Sequence, residues 1–234
     1  MTRQENIFLA KKFFTELVFN TAYIEGVNVT FPQTQAIIDG AVVNNIAVSD
    51  IQTVLNLRDA WKYSLETLDT PVDLNYICKI NELVSRNESL AWGKLRTGTV
   101  GVGGTDYLPP VPKREEVINR LNSINAIYEV QERAMEYFCY AVKAQLFWDG
   151  NKRTSTIVAS KILISAGAGV LTIGKSDALN FNEALLHYYD TDDKVPLIEC
   201  LSHCIKTLGK ENGRLQNAEQ TAKFENELDS GLEL

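Results

Sequence analysis

Residues 145–153 combine side chains and backbone features that could bind a phosphate group. The stretch reads Gln-Leu-Phe-Trp-Asp-Gly-Asn-Lys-Arg, and an apolar-periodic segment that predicts a helix follows it. Gly150 can adopt the positive φ that a sharp turn requires. The free amides at the start of the helix then favour an anion, because the helix dipole is positive at that end. This pattern predicts an anion-binding turn at a helix N-terminus.

Charged side chains in the same stretch extend the prediction to a nucleoside triphosphate. Lys152 and Arg153 add two positive charges, and a guanidinium can hold a phosphate with two parallel hydrogen bonds. Asp149 could bind Mg²⁺, which prefers a carboxylate together with phosphate oxygens. The spacing excludes a Walker loop and a calcium-binding EF-hand loop. The residues alone leave one alternative open, which is an ordinary helix start with an Asp-Gly turn and solvated basic side chains.

The stretch resembles the signature of the Fic (Fido) family, His-x-Phe-x-Asp/Glu-Gly-Asn-Gly/Lys-Arg. Every fixed position matches except the first, where Gln145 replaces His. The similarity extends over roughly residues 5–207, which is most of the chain. The resemblance implies a mainly α protein, the Fic/Fido helical fold with a β-hairpin flap, in a single domain over residues 1–208.

Two further segments resemble parts of the family pattern, in the expected order. Residues 20–27 contain Thr-Ala-Tyr-Ile-Glu-Gly, similar to the inhibitory motif Ser/Thr-x-x-x-Glu-Gly/Asn, and Glu25 is the candidate autoinhibitory residue. Residues 91–110 resemble the flap, which in the family binds an extended segment of a target protein through backbone hydrogen bonds. The candidate docking residues of the flap are Arg96, Thr97 and Gly98. The resemblance thus implies an unknown protein partner.

The resemblance also implies a role for each signature residue in the transfer of AMP from ATP to a hydroxyl of that partner. Asp149 would bind the Mg²⁺ that bridges the α- and β-phosphates. Gly150 and Asn151 would form the anion site, and Lys152 and Arg153 would neutralise charge on the leaving pyrophosphate. Nucleotidyl transfer depends mainly on positioning and electrostatics, so we expect these groups to matter most.

Two departures from the family pattern affect the expected activity. Gln145 takes the catalytic position of the His that deprotonates the target hydroxyl; a glutamine amide can orient a hydroxyl but is not a base near neutral pH. Loss of a general base typically costs roughly 10²–10⁴ in rate. Thr156 stands where many relatives have an Arg that the inhibitory Glu contacts. In this chain, Lys152 or Arg153 could replace that Arg as the contact of Glu25.

Three functions therefore stay open. The first is a Fic-type nucleotidyltransferase that uses Mg·ATP and is slowed or altered by Gln145. The second is a catalytically inactive, nucleotide-binding interaction protein on the same fold, and the third is a helical scaffold that binds no nucleotide. Some Doc-like relatives transfer phosphate instead of AMP, but those differ at the position of Gly150, which makes that reaction less favoured.

Composition narrows the functional classes further. The 234 residues are 45% hydrophobic with a net charge of −7, which fits one well-buried domain and argues against broad nucleic-acid binding. No apolar run suits a membrane helix and residues 1–6 do not resemble a signal peptide, so we expect a cytoplasmic protein without membrane binding. The four cysteines are interpreted as free thiols rather than zinc ligands. Residues 209–234 are interpreted as a polar, acidic tail.

Helices must position the signature turn, and their periodicity and end signals can be read along the chain. Helices are predicted at residues 5–19, from Pro32 onward, and at 49–68, 71–88, 113–126, 130–146, from the signature to 166, 176–189 and 194–207. The glycine-rich residues 91–110 have the composition of a hairpin. Phe181 and Asn182 are weaker candidates for an adenine pocket, for which ordinary packing and capping are the favoured alternative.

Overall fold

Ten α-helices make up most of the computed structural model, which describes residues 1–207. In chain order they are α1 (Arg3–Lys12), α2 (Phe14–Tyr23), α3 (Phe31–Ile38), α4 (Val48–Glu66), α5 (Leu74–Ser85), α6 (Arg114–Asn125), α7 (Val130–Ala144), α8 (Asn151–Ala166), α9 (Ala178–Thr191) and α10 (Val195–His203). Within this part of the chain, β1 (Val170–Leu171) and β2 (Ile205–Lys206) form one antiparallel pair. The predicted mainly α fold is confirmed. The predicted acidic tail, residues 209–234, lies outside the described residues.

Helix α8 is buried along nearly its whole length and carries the signature turn at its N-terminus. It packs against α1, α4, α5, α7 and β1. Some of its buried side chains are polar, but they bond to carbonyls of the same helix. Ser155 Oγ donates to Asn151 O (2.7 Å), and Thr156 Oγ1 donates to Lys152 O (3.0 Å). Because these hydroxyls need no partner from another element, the helix can lie in the core and hold the turn in place.

The ends of the helices follow the sequence signals in most places. Thr30 caps α3 with Pro32 in the first turn, and the Asp73 side chain caps α5. The helix predicted over residues 5–19 is divided at Phe13 into α1 and α2. No helix of the described chain is both long enough and apolar enough to cross a membrane.

Residues 91–110, hereafter the flap loop, do not form the predicted β-hairpin, and no strand is present in this stretch of the described chain. Arg96, which is 1% exposed, organises the loop instead. Its guanidinium donates to the carbonyls of Gly98 (2.5 Å) and Pro110 (2.6 Å), and its Nε donates to Gln145 O (2.5 Å). Since one side chain supplies the donors and the prolines that end the loop have no N–H, a regular strand ladder does not form.

The same contacts limit the docking role predicted for the three flap residues, which stays a prediction because it would use their backbone groups. The Arg96 guanidinium is engaged with backbone carbonyls inside the protein, so it is not available to a target. Gly98 packs against Trp148, because a Cβ added at this glycine would lie 2.7 Å from Cη2 of the tryptophan. Thr97 alone of the three is exposed. Arg96 and Gly98 therefore shape the loop from within.

Replacing Arg96 with Met should loosen the flap loop and speed its cleavage by chymotrypsin at Tyr107 about tenfold or more. Each hydrogen bond from a charged donor contributes roughly 1.5–3 kcal/mol, and about 1.4 kcal/mol corresponds to a tenfold change in opening. The rate of limited proteolysis measures this effect. Arg96→Lys keeps the charge but offers fewer directed donors, so its rate should be intermediate. Equal cleavage rates for the wild type and Arg96→Met would contradict the conclusion that Arg96 organises the flap loop.

Candidate functional site

A cavity of about 400 Å³ opens at the N-terminus of α8, between the signature turn, the end of α2, α9 and the flap loop. The structure brings six of the predicted site residues together on its walls. These are Glu25, Gln145, Asp149, Gly150, Asn151 and Lys152. Arg153 and the predicted docking residues of the flap loop do not line it. The cavity also contacts Trp148, Asn182 and Tyr189.

The signature turn has the geometry of an anion site. Gly150 has a φ of +71°, and a Cβ at this position would lie 2.5 Å from Ser85 Oγ, so only glycine fits both the conformation and the space. The first amide of α8 with a backbone partner is that of Thr154, which donates to Gly150 O (2.8 Å). The amides of residues 151–153 donate to no acceptor among the described residues. Their free N–H groups agree with the predicted anion-binding turn.

Asn151 holds the turn through its side chain, which leaves only its backbone amide free to bind an anion. Its Oδ1 accepts from the Phe147 amide (2.9 Å), and its Nδ2 donates to Phe147 O (2.8 Å) and to Gln145 Oε1 (3.0 Å). The side chain is buried, with 7% of its residue exposed. These bonds close the turn on itself, so the side-chain amide is not free to bind a phosphate.

Gln145 is held in place at both ends of its amide. Its Nε2 donates to Val142 O (2.7 Å) and to the Tyr189 hydroxyl (3.1 Å), while its Oε1 accepts from Asn151. The residue ends α7 with a φ of +44°, in the left-handed region that costs a side chain roughly 1–2 kcal/mol. The orienting role suggested for this amide would depend on the single lone pair left on Oε1. Burial raises the pKa of Tyr189, so its hydroxyl is no substitute base near neutral pH.

Asp149 has its main chain fixed and its carboxylate turned to the cavity. The Asp149 carbonyl accepts from Asn81 Nδ2 (2.9 Å) and Ser85 Oγ (3.2 Å). Its Oδ1 accepts from the Gly150 amide (2.6 Å), and its side chain is 44% exposed. A carboxylate at this position fits Mg²⁺, which binds through one or two carboxylates plus nucleotide phosphates. The described residues contain no group of three or more acidic, His or Cys ligands, so a metal would depend on those phosphates.

Arg153 lies beneath the turn rather than in the cavity. It is 3% exposed, and its guanidinium donates to Glu88 Oε2 (2.7 Å) and Asp149 Oδ2 (3.1 Å). The guanidinium is thus bonded to two carboxylates, and the phosphate contact predicted for this side chain stays a prediction. Arg153 influences the cavity indirectly, because its guanidinium holds the carboxylate of Asp149, which lines the cavity.

Glu25 faces the basic end of the signature across the cavity. Its Oε1 is buried, accepts no hydrogen bond from the described residues, and lies 3.7 Å from Lys152 Nζ. Lys152 Nζ also donates to Ile24 O (2.9 Å). Burial raises the pKa of the Glu25 carboxyl, while the charges of Lys152 and Arg153 oppose this rise. Thr156, at the position of the family Arg, has its hydroxyl bonded to a carbonyl of α8. The ion-pair partner of Glu25 is therefore Lys152.

The central part of the chain matches a known family, the Fic/DOC family, over residues 71–163. The chain contains a Fic/DOC domain. It is 25% identical over 208 residues to a protein adenylyltransferase Fic of Nematostella vectensis, covering 83% of this chain and 47% of that protein. The chain thus spans less than half the length of this relative.

Solved Fic proteins share the fold of this chain. Fic-1 from C. elegans superposes with a TM-score of 0.71 at 20% identity, covering 89% of this chain and 64% of that one. A Fic domain containing signaling protein from Bacteroides thetaiotaomicron gives a TM-score of 0.68 at 18% identity, covering 83% of each chain. The predicted Fic helical fold is thereby confirmed.

The raised pKa of Glu25 predicts a pH-dependent stability for this Fic domain. A carboxyl whose folded-state pKa lies above its ordinary value, near 4.5, stabilises the fold at low pH. That contribution is lost as the pH rises through the folded-state pKa. The free energy of unfolding of the wild type, relative to that of Glu25→Gln, should therefore fall as the pH rises above the ordinary carboxyl pKa of about 4.5. Urea unfolding of both proteins at a series of pH values measures this difference in free energy. A difference that does not change with pH would refute the raised pKa of Glu25.

Sequence reasoning missed the residues of α5 that support the signature turn. Asn81 is fully buried; its Nδ2 donates to Asp149 O, and its Oδ1 accepts from the Gly93 amide (2.9 Å). It thus joins the turn to the start of the flap loop. Ser85, one helical turn later, bonds to the same Asp149 carbonyl. The sequence did contain a signal for these supporting residues. Two polar residues, four positions apart, lie on the face of α5 that otherwise packs into the core.

Proposed function

We propose that this Fic domain binds Mg·ATP in the cavity at the N-terminus of α8 and transfers AMP to a hydroxyl of a target protein at a low rate. The observation that carries the proposal is the group of free amides at residues 151–153, with Lys152 and Asp149 beside them. The adenylyltransferase named among the relatives supports the reaction class. This chain spans less than half of that relative, so the relative supports the reaction class and not a particular substrate or target.

The cavity offers a separate surface for each part of the nucleotide. The amides behind Gly150 would bind a phosphate, and Lys152 would neutralise its charge. Asp149 would hold Mg²⁺, which supplies charge neutralisation at the phosphates when bound. The adenine would lie near Asn182 and Leu185 on α9. Phe181 takes no part in this pocket, because its ring is fully buried against Phe138 (6.0 Å between centroids).

The proposed reaction joins the target oxygen to the α-phosphorus of ATP. The hydroxyl oxygen attacks that phosphorus, the bond from it to the bridging α–β oxygen breaks, and pyrophosphate leaves. The hydroxyl proton passes to solvent, because Gln145 offers no basic atom. We therefore expect a rate roughly 10²–10⁴ below that of a domain with a general base.

Glu25 is proposed to inhibit the domain by competing for Lys152. The carboxylate lies 3.7 Å from the ammonium that a phosphate would otherwise contact. A bound triphosphate would bring further negative charge close to this carboxylate, which opposes binding while Glu25 is ionised. Glu25→Ala should therefore increase the affinity for Mg·ATP.

Isothermal titration calorimetry with Mg·ATP, combined with transfer of radiolabelled AMP to proteins in a lysate, tests the proposal. Wild type should bind, Glu25→Ala should bind more tightly, and Asp149→Ala should lose both binding of the Mg²⁺ complex and label transfer. Asp39→Ala, which removes an exposed carboxylate elsewhere, is the matched control and should behave as wild type. No saturable heat for wild type and Glu25→Ala would favour the helical scaffold without a nucleotide.

A second function, a catalytically inactive nucleotide-binding interaction protein, is favoured by the contacts of Gln145. Both ends of its amide are bonded to Val142, Tyr189 and Asn151, so the residue serves the structure of the turn. This candidate predicts that Mg·ATP raises the melting temperature without any transfer of label. The flap loop would then bind a partner in response to the nucleotide.

A further inference from the structure

A second cavity, of about 440 Å³, lies away from the Fic site toward the other end of α8. Its walls come from residues 68–72, the end of α6, the first turn of α7 and the second half of α8. Two cationic residues line it, Lys161 and Arg133. Lys161 follows Arg153 by about 12 Å along the helix, at about 1.5 Å per residue. The cavity is therefore separate from the anion-binding turn.

Lys161 is a buried amine without an acidic partner. The residue is 2% exposed; its Nζ donates to Thr70 O and lies 4.5 Å from the centroid of the Tyr76 ring. Burial lowers its pKa to about 8, Asp69 opposes this shift, and Arg3 adds to it. Asp69 is itself paired with Arg3 at 2.6 Å. The carboxylate of Asp69 is thus already engaged, and Lys161 forms no ion pair with any of the described residues.

Arg133 adds a second, half-buried cation whose Nε has no acceptor. Its Nε is buried and finds no acceptor among the described residues. Within residues 1–207, Arg133 also forms no ion pair. The terminal nitrogens of the guanidinium are not buried and bond to no acceptor among the described residues, so they can bind an acceptor from outside the chain.

The other polar groups of the cavity do not supply that acceptor. Asn125 Nδ2 donates to Val72 O (2.9 Å), and Ser165 Oγ donates to Leu68 O (3.1 Å). No carboxylate is among the described residues that line the cavity. We propose that this cavity binds a small oxyanion, a carboxylate or phosphate group of a metabolite, between Lys161 and Arg133. The planar guanidinium would bind two oxygens in parallel, and the ammonium would contribute a point charge.

Isothermal titration calorimetry with two probes, succinate and inorganic phosphate, tests this site in the full chain. At least one probe should bind saturably at pH 7, and Lys161→Met and Arg133→Gln should each weaken it about tenfold. Lys62→Met, which removes an exposed lysine elsewhere, should leave the isotherm unchanged. Lys152→Met, which alters the Fic site, should leave the heat that is lost in Lys161→Met and Arg133→Gln unchanged, which separates binding in this cavity from anion binding at the Fic site. The probe that binds identifies the oxyanion as a carboxylate or a phosphate.

Proton uptake gives a readout that does not depend on the variants. An oxyanion beside Lys161 stabilises the ammonium, so binding near pH 8 should take up protons, seen as different heats in buffers of different ionisation enthalpy. Succinate affinity should fall between pH 7 and pH 9 as the amine loses its charge. Absence of saturable binding by both probes, or binding abolished by Lys152→Met but kept in Arg133→Gln and Lys161→Met, would overturn the proposal. A failure of nucleotide binding leaves it unaffected.

Discussion

Replacing Gln145 with His should raise AMP transfer by roughly 10²–10⁴-fold, the range that a general base typically contributes. The turn, its free amides, Lys152 and Asp149 are already in place, so the imidazole would add the missing proton acceptor to an assembled site. The backbone at Gln145 has a φ of +44°, which histidine tolerates better than most residues. Initial rates of radiolabel transfer, compared at equal Mg·ATP saturation, measure the gain.

Two control variants test whether the gained transfer depends on Asp149 and on a basic side chain at position 145. Gln145→His combined with Asp149→Ala should lose the gained transfer, because the carboxylate proposed to hold Mg²⁺ is removed. Gln145→Asn shortens the amide without adding a base, so it should not gain activity. If Gln145→His binds Mg·ATP as wild type does and transfers no more label, the domain is a nucleotide-binding protein and the transferase proposal fails.

The signature turn could be predicted from the sequence because its determinants are local. Gly150 needs a positive φ, the amides after it start a helix, and charged residues stand directly beside them. The geometry of Gly150, with a φ of +71° and free amides behind it, agrees with that reasoning. The helices were predictable for the same reason, since apolar periodicity and end signals are properties of short segments.

What could not be predicted depends on contacts between distant parts of the chain. Glycine, valine and threonine in residues 91–110 favour a hairpin, but composition does not reveal that the buried Arg96 supplies donors to the loop carbonyls. The buried position of Arg153 beneath the turn could not be predicted for a similar reason. Its partner Glu88 follows α5, far away in sequence, and only packing of α5 against α8 brings the two together.

Arg153→Ala should lower the free energy of unfolding by about 3–5 kcal/mol, the loss expected when one partner of a buried ion pair is removed. The substitution leaves the carboxylate of Glu88, which is 16% exposed, without its cation, and it releases the carboxylate of Asp149. Urea denaturation at neutral pH measures the change. Lys79→Ala, which breaks an exposed pair with Glu82, is the matched control and should cost at most about 1 kcal/mol.

A double substitution separates the structural role of Arg153 from a direct role in binding. Glu88→Gln with Arg153→Met replaces the buried pair by a neutral and an apolar side chain, which is often nearly neutral for stability. We expect it to recover most of the lost free energy of unfolding. Because Arg153 lies beneath the turn, the double variant should retain more affinity for Mg·ATP than Lys152→Met, whose lost ammonium faces the cavity. The opposite order of affinities would return Arg153 to the phosphate-binding role predicted from its position in the signature.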